Sequence, residues 1–481
     1  MTSIRDLGPK VKIPLIKDVW HYKFFKIGGV ESSLDEIEHS ILRKEFEEPR
    51  IHFAINCASI SCPPLLNEAF VADKLESQLQ KVAVAFVNDP TRNKITSNQA
   101  EVSPIFSWFS GDFTKNGSLI DFLKKSIMAN RHIVILGNGI AGITCARHIR
   151  KKNDQVRISV ISGESPYFFS RTALMYVFMG HMKFEHTQPY ESWFWEKNRI
   201  ELIHQWVTEV DFTSKKLIFS KGDSLDYDVL VLATGSKPNK FGWSGQDLDG
   251  VQGLYSKQDL ELMEKNTGPE VKRAIIVGGG LIGIEMAEML AYKKIPVTFL
   301  VREKGFWDNV LPKEESELVG RHILEHHVDL KMETELKKIL PDSNGRVKSV
   351  ITSAGEEITC QFVGLTAGVS PNVDFLKHTA LKVNRGIMVD SFFQTNLPDV
   401  YAIGDCAEFE EAPTADRRTI EQVWYTGRMH GETLAETLCG EKTAYRPGVW
   451  FNSAKFFDIE YQTYGTVPPK WNEEEVNSFY W

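Results

Sequence analysis

The chain has 481 residues, enough for about three domains of ordinary size. Hydrophobic residues make up 42% and charged residues 25%, as in folded globular proteins, and the net charge of -8 excludes a general attraction to nucleic acid or anionic membranes. Six scattered cysteines form neither a disulfide framework nor a close zinc or redox pair, no apolar run is long enough to span a bilayer, and the N-terminus lacks a secretory signal, so a reducing cytoplasm is the expected location.

In chain order, residues 1–129 read as one α+β unit. A helix is predicted over Leu34–Arg43, followed by RIHFAINCASISCPPLL and an amphipathic stretch at Ala69–Val87 that Asp89-Pro90 breaks. SLIDFLKKSIM predicts a last helix. His52 is a candidate base for Cys62 or Cys57, with Asn56 or Ser61 as orienting group. Cys62 precedes Pro63-Pro64, which predicts a helix start that would lower the thiol pKa. The alternatives are that these residues simply pack in a strand-turn core, or that the Cys-x4-Cys spacing of Cys57 and Cys62 is a redox or metal pair.

At RHIVILGNGIAG the character changes. The apolar run Ile133–Leu136 leads directly into a glycine-rich turn and a helical pattern. Gly137 is expected to make the tight turn, Gly139 to let a pyrophosphate approach the backbone, and Gly142 to let helix and strand pack closely. The helix N-terminus then presents free N–H groups to phosphate. Roughly twenty residues on, VRISVISGE ends on Glu164, a candidate acceptor for ribose hydroxyls.

The same pattern returns later. RAIIVGGGLIGIEMAEML places Gly278, Gly280 and Gly283 after a second apolar strand, and VTFLVREKG, the next strand and its exit, holds Glu303, the candidate partner of a ribose 2′-hydroxyl. The neighbouring Arg302 would instead favour a 2′-phosphate; the carboxylate tips the expectation toward NADH, with NADPH as the alternative. Each copy is followed by an apolar strand and a similar tripeptide, in LVLATGSKP, which holds Gly235, and in GLTAGVSPN. A repeat at this scale predicts two dinucleotide-binding folds. The chain ends on the apolar NSFYW and begins abruptly before the apolar stretch Val19–Phe25, which suggests a piece of a longer protein; docking of aromatic ends on a core is the alternative.

The ordered set GNGIAG, LVLATGSKP, VGGGLIGIEMAEML, GLTAGVSPN and TNLPDVYAIGDCAE resembles the pyridine nucleotide-disulfide oxidoreductase superfamily. The resemblance implies two Rossmann-like domains, the first for FAD (130–251 and 372–440), interrupted by the second for NAD(P)H (252–371). It implies that Asp405, with Gly404, reaches the ribitol or pyrophosphate of FAD and that Glu285 helps to place the nicotinamide. SPYFFSRTAL is similar to the non-disulfide branch, which includes rubredoxin, ferredoxin and nitrite reductase-like flavoproteins and apoptosis-inducing-factor-like proteins, and REKGFWDNVLP is closest to that branch too. There Arg171 would pair with the FAD pyrophosphate. Thr172 stands where coenzyme A disulfide reductase-like relatives have a cysteine, and Tyr176 where many relatives have a lysine near the flavin.

The resemblance further implies a helix over Thr419–Leu438 aimed at the flavin, with Trp424 either at the acceptor face or packed between domains. YRPGVWFNSAKFFDIEYQTYG resembles the start of an interface domain, so that 441–481 would be part of one, and about 20–125 resembles the DUF547 family. The expected activity is NADH-dependent electron transfer through FAD to a small redox protein, a quinone or a small molecule, with a homodimer left open. The competing readings are an FAD-binding interaction or signalling protein with slow turnover, and a disulfide reductase that lacks the usual cysteine pair.

Overall fold

The computed structural model describes residues 20–56, 62–95, 99–129, 131–465 and 467. Cys57, Ser61, Val19 and the C-terminal NSFYW lie outside them, and so do the expectations placed on those residues. The chain divides into two compact units, Met1–Asn130 and Arg131–Trp481.

The first unit is mainly helical, with two short antiparallel hairpins. Its predicted first helix is present, continuous over residues 34–45, with a π-helical stretch at Glu36–Leu42 in its middle. Helix α1 (Leu75–Val87) begins later than the amphipathic stretch suggests, and α2 (Leu119–Ala129) falls where expected. Phe53, Phe86, Phe106 and Phe113 fill the core between them. No helix follows Cys62; residues 63–66 are irregular. Two consecutive prolines explain this, because each pushes the residue before it out of the helical region.

The second unit opens with strand β1 (His132–Leu136), helix α3 (Ile140–Lys152), and strands β2 (Arg157–Ser162), β3 (Ile200–His204) and β4 (Val229–Leu232). It continues through β5 (Val251–Gln252), α4 (Lys257–Asn266), β6 (Ala274–Val277), α5 (Leu281–Tyr292), β7 (Val297–Leu300), α6 (Lys313–Glu325), β8 (Asp329–Lys331) and β9 (Phe362–Leu365). It then returns as β10 (Val400–Ala402) and α7 (Trp424–Leu438), and ends in the hairpin of β11 (Phe451–Phe456) and β12 (Ile459–Tyr464).

Two five-stranded parallel sheets result. Their orders are β10–β4–β1–β2–β3 and β5–β9–β6–β7–β8. Strands of a parallel sheet covered on both faces need apolar side chains on both sides, hence VLVL, AIIV and VTFL, all buried. Each sheet is accompanied by a three-stranded antiparallel meander, at residues 207–226 and 336–359. The repeat therefore runs through the whole of each fold. Val251 pairs with Val363 of the second sheet, so the passage into the second fold precedes the expected boundary at 251/252. The two passages of the chain between the folds lie side by side, as an antiparallel ribbon of Ser236–Pro238 and Val369–Pro371.

In both sheets the strand order reverses beside the glycine turn, between β1 and β4 and between β6 and β9. Open α/β sheets bind their ligands at such a point. Gly137 has φ +123°, and a Cβ on it would lie 2.0 Å from the Ala233 carbonyl oxygen at the end of β4. A Cβ on Gly142 would lie 2.1 Å from the Gly137 carbonyl oxygen. Helix α7 closes over α3 in the same way: at Gly431 a Cβ would meet the Ala141 carbonyl oxygen at 2.5 Å.

Helix α7 starts at Trp424, not at Thr419. The preceding residues are tied elsewhere. The Thr419 carbonyl accepts from the Phe409 N–H, and the buried Glu421 carboxylate accepts from Arg417 at 2.8 Å and from the Thr426 hydroxyl at 3.3 Å. Replacing Gly431 by Ala should push α7 away from α3 and cost about 1–3 kcal/mol, read as a fall in Tm.

Candidate active site

A cavity of about 790 Å³ opens at the reversal point of the first sheet. Gly137–Ala141 form its floor, Glu164 and Arg171 one side, and Gly235, Ser236, Gly404 and Asp405 another. Ile282 and Glu285 of α5 reach it from the second fold, and Gln422, Trp424 and Gly427 from the start of α7. Expected site residues from five distant stretches thus meet in one place.

The second glycine of the turn tests whether a dinucleotide fits. Gly139 has φ -71° and ψ -178°, a backbone that any residue adopts. A Cβ there would find nothing within 4 Å. The fold does not require glycine at this position; a ligand lying on the backbone would. Gly280 repeats the observation, with φ -100°, ψ -178° and its nearest neighbour, the Thr366 carbonyl oxygen, at 3.9 Å. Beside it, Gly278 and Gly283 are held by close contacts at 2.7 Å and 2.5 Å, as Gly137 and Gly142 are in the first turn. Both cradles fit a pyrophosphate.

Asp405 anchors a network that local sequence does not reveal. Its carboxylate accepts from the Ser236 hydroxyl at 3.0 Å and from the Tyr255 hydroxyl at 3.1 Å, and Gln422 donates to the Ser236 hydroxyl at 2.7 Å. Burial raises the Asp405 pKa despite these donors and the nearby Arg171. Ser236 adjoins the LVLATG motif, which was a signal; Tyr255 and Gln422 carried none. The adjacent Cys406 is buried and its thiol pKa is raised by that burial.

Glu164 and Arg171 face each other. Both guanidinium nitrogens donate to the carboxylate at 2.7 Å, one also donates to the Tyr255 carbonyl, and the Lys257 N–H donates to Glu164 at 2.9 Å. Burial opposes both charges, yet the pairing holds the Glu164 pKa below and the Arg171 pKa above their ordinary values. Thr172 lines the cavity. Tyr176 packs instead with the apolar cluster that includes Met286 and Leu290.

Glu285 is the exceptional acid. Burial, followed by the charge of Glu288 on the same helix, pushes its pKa up to about 7. Glu288 in turn accepts from Lys455 of the C-terminal hairpin at 2.7 Å. At the second turn, the Glu303 carboxylate accepts from the exposed Arg302 guanidinium at 2.8 Å.

In the first unit, His52 is buried, stacked on Phe109 at 3.9 Å, with Nε2 2.8 Å from Asp112. Asp112 also accepts from Arg43 at 2.8 Å. Burial lowers the His52 pKa in spite of the carboxylate. His52 is thus paired with Asp112, far along the chain, while Asn56 donates to the Pro63 carbonyl. His52 lies in a 3-10 turn, Pro49–Phe53, rather than a strand.

Residues 131–431 match the family model described as pyridine nucleotide-disulphide oxidoreductase. The chain belongs to that family. Membership makes it an oxidoreductase and implies FAD and NAD(H) binding. Residues 6–87 match the model of DUF547, a family of unknown function. Among curated proteins, the assimilatory nitrate reductase electron transfer subunit of Bacillus subtilis is 28% identical over 317 residues, 65% of this chain; this chain spans only 40% of that subunit. The rubredoxin-NAD(+) reductase of Acinetobacter baylyi is 28% identical over 320 residues, covering 65% of this chain and 79% of that protein. A ferredoxin reductase structure from Rhodopseudomonas palustris superposes with a TM-score of 0.65 at 24% identity, over 70% of this chain and 83% of its own, and shows the shared fold.

The family's two cradles yield a direct test. Gly139→Leu should fold with a near-normal Tm as apoprotein and lose FAD, because only the ligand's space is taken. Flavin content after reconstitution measures it; stoichiometric FAD would refute the placement.

Proposed function

We propose that the chain oxidises NADH through bound FAD and passes the electrons to a small redox protein of the rubredoxin or ferredoxin class. The observation that carries this reading is the pair of glycines, Gly139 and Gly280, that the fold itself leaves free to be any residue. The names of the relatives, a rubredoxin reductase and an electron transfer subunit, support the acceptor class. Bound FAD would supply the hydride acceptor and the store of electrons.

The protein's own groups would do the positioning. The N-terminal N–H groups of α3 and α5 would hold the two pyrophosphates. Asp405, kept in place by Ser236 and Tyr255, would accept a flavin-side hydroxyl. Arg171, fixed by Glu164, would present its remaining charge to the FAD phosphates while Glu164 takes the ribose. Helix α7 begins at the cavity, and the positive end of its dipole would favour an electron-rich ring. Trp424, 36% exposed at the cavity mouth, would meet the acceptor. NADH is favoured over NADPH because a 2′-phosphate would have to displace the Glu303 carboxylate from Arg302. The unpaired Cys62, Cys145, Cys360, Cys406 and Cys439 support a reducing cytoplasm as the place of action.

Anaerobic stopped-flow mixing tests the whole cycle. Fast flavin reduction by NADH, then rapid reoxidation by oxidised rubredoxin or ferredoxin, is the expected result. Slow reduction with a persistent charge-transfer band would support a signalling protein instead. Glu303→Ala should raise the KM for NADH by roughly tenfold and leave that for NADPH less affected, as loss of one charge-assisted hydrogen bond requires.

The pH dependence follows from Glu285. Below about pH 7 its carboxyl keeps the proton, and above that it is a carboxylate. Hydride loss would leave positive charge on a bound nicotinamide, which the Glu285 carboxylate at the cavity wall would stabilise. Flavin reduction by NADH should therefore accelerate as pH rises through about 7. In Glu285→Gln the inflection should vanish and the rate at pH 8 fall by roughly tenfold.

A further inference from the structure

Away from the cavity, three metal-ligating side chains converge. His322 lies in the last turn of α6 and His326 caps that helix one turn later. Residues four apart on a helix present their side chains to the same side. Both imidazoles meet Asp458, in the turn between β11 and β12. His322 Nε2 is 2.5 Å and His326 Nε2 3.0 Å from the same oxygen, Asp458 Oδ1. One ligand atom from each residue lies within 4.8 Å of the others.

We propose that His322, His326 and Asp458 bind a divalent transition-metal ion that ties the C-terminal hairpin to helix α6. Two imidazoles and one carboxylate suit zinc, cobalt or nickel; magnesium and calcium prefer oxygen ligands throughout. Around a tetrahedral zinc, ligand atoms stand roughly 3.3 Å apart, from bond lengths near 2.0 Å. Asp458 is exposed and at a turn, so its carboxylate is free to move out from the 2.5 Å contact toward that spacing.

The surroundings are those of a built site. Metal-bound imidazoles are usually oriented through the other ring nitrogen. His322 Nδ1 faces Glu325 Oε2 at 3.5 Å. The His326 ring lies flat on Phe457, with centroids 4.3 Å apart and an interplanar angle of 5°, which fixes its orientation. Phe456 and Phe457 bury the adjacent hairpin in the apolar cluster shared with α5. The ion would thus close a contact that apolar packing has already brought together, leaving a coordination position for water.

The test uses tag-free, FAD-loaded full-length protein, stripped with a chelator and dialysed. Titration with Zn²⁺ by calorimetry should show one ion per chain, and Co²⁺ should give d–d bands at wavelengths beyond the flavin absorption. His322→Ala, His326→Ala and Asp458→Asn should each weaken Zn²⁺ binding by roughly a hundredfold. Flavin content and metal-free Tm, measured alongside, should stay near those of the parent, showing that each variant is folded. Zn²⁺ should raise the Tm of the parent protein alone. Absence of stoichiometric binding, or binding undiminished in the folded variants, overturns the site and leaves the three residues as a hydrogen-bonded clip.

Discussion

Close main-chain contact around Ala141 governs the second unit. The Gly137 turn touches the end of β4, Gly142 touches the Gly137 carbonyl, Gly431 of α7 touches the Ala141 carbonyl, and a Cβ on Gly404 would lie 2.9 Å from the Ala141 Cβ. Four chain segments converge because side chains are missing at the contacts. That convergence brings Asp405, the start of α7 and the N–H groups of α3 to one cavity. Burial near 0% along β1 and β4 makes the platform stiff, since interiors packed at crystal-like density transmit displacement rather than absorb it.

The second fold repeats the device with different neighbours and contributes an acid to the first. Helix α5 follows the second glycine turn, and its first two turns carry Ile282 and Glu285 to the cavity wall. Glu288, one turn on, bonds to Lys455 of the hairpin. A single helix therefore joins the second glycine turn, the large cavity and the C-terminal hairpin. The raised pKa of Glu285 arises from this placement, deep in the wall and next to a second acid.

Much of this was legible in the sequence, for identifiable reasons. Strand-glycine-helix junctions write their constraint locally, so Gly137, Gly139, Gly142 and their counterparts could be placed by spacing, and the repeat implied two sheets. Ser236 and Tyr255 reach Asp405 and Gln422 reaches Ser236, from three separate stretches, and no local pattern encodes such a meeting. The His52–Asp112 contact was hidden in the same way. Where local rules misled, a competing local or tertiary constraint prevailed: the buried Arg417–Glu421 pair held Thr419–Val423 out of α7, and the doubled proline kept Cys62 from starting a helix. His322 and His326 meet Asp458 from a distant turn, and no local pattern encodes that meeting either.

Gly139 also acts on the state in which nothing is folded. At a backbone angle open to every residue, glycine gives the unfolded chain extra conformational freedom, and an alanine there would stabilise the empty protein by about 0.4–1 kcal/mol. The chain forgoes that stability at both cradles. Cofactor binding would offset that loss, by an amount that grows with the logarithm of free ligand over its dissociation constant. A newly made chain without FAD is thus the form most open to local unfolding and proteolysis, and the standing amount of this protein in a cell should follow the supply of flavin.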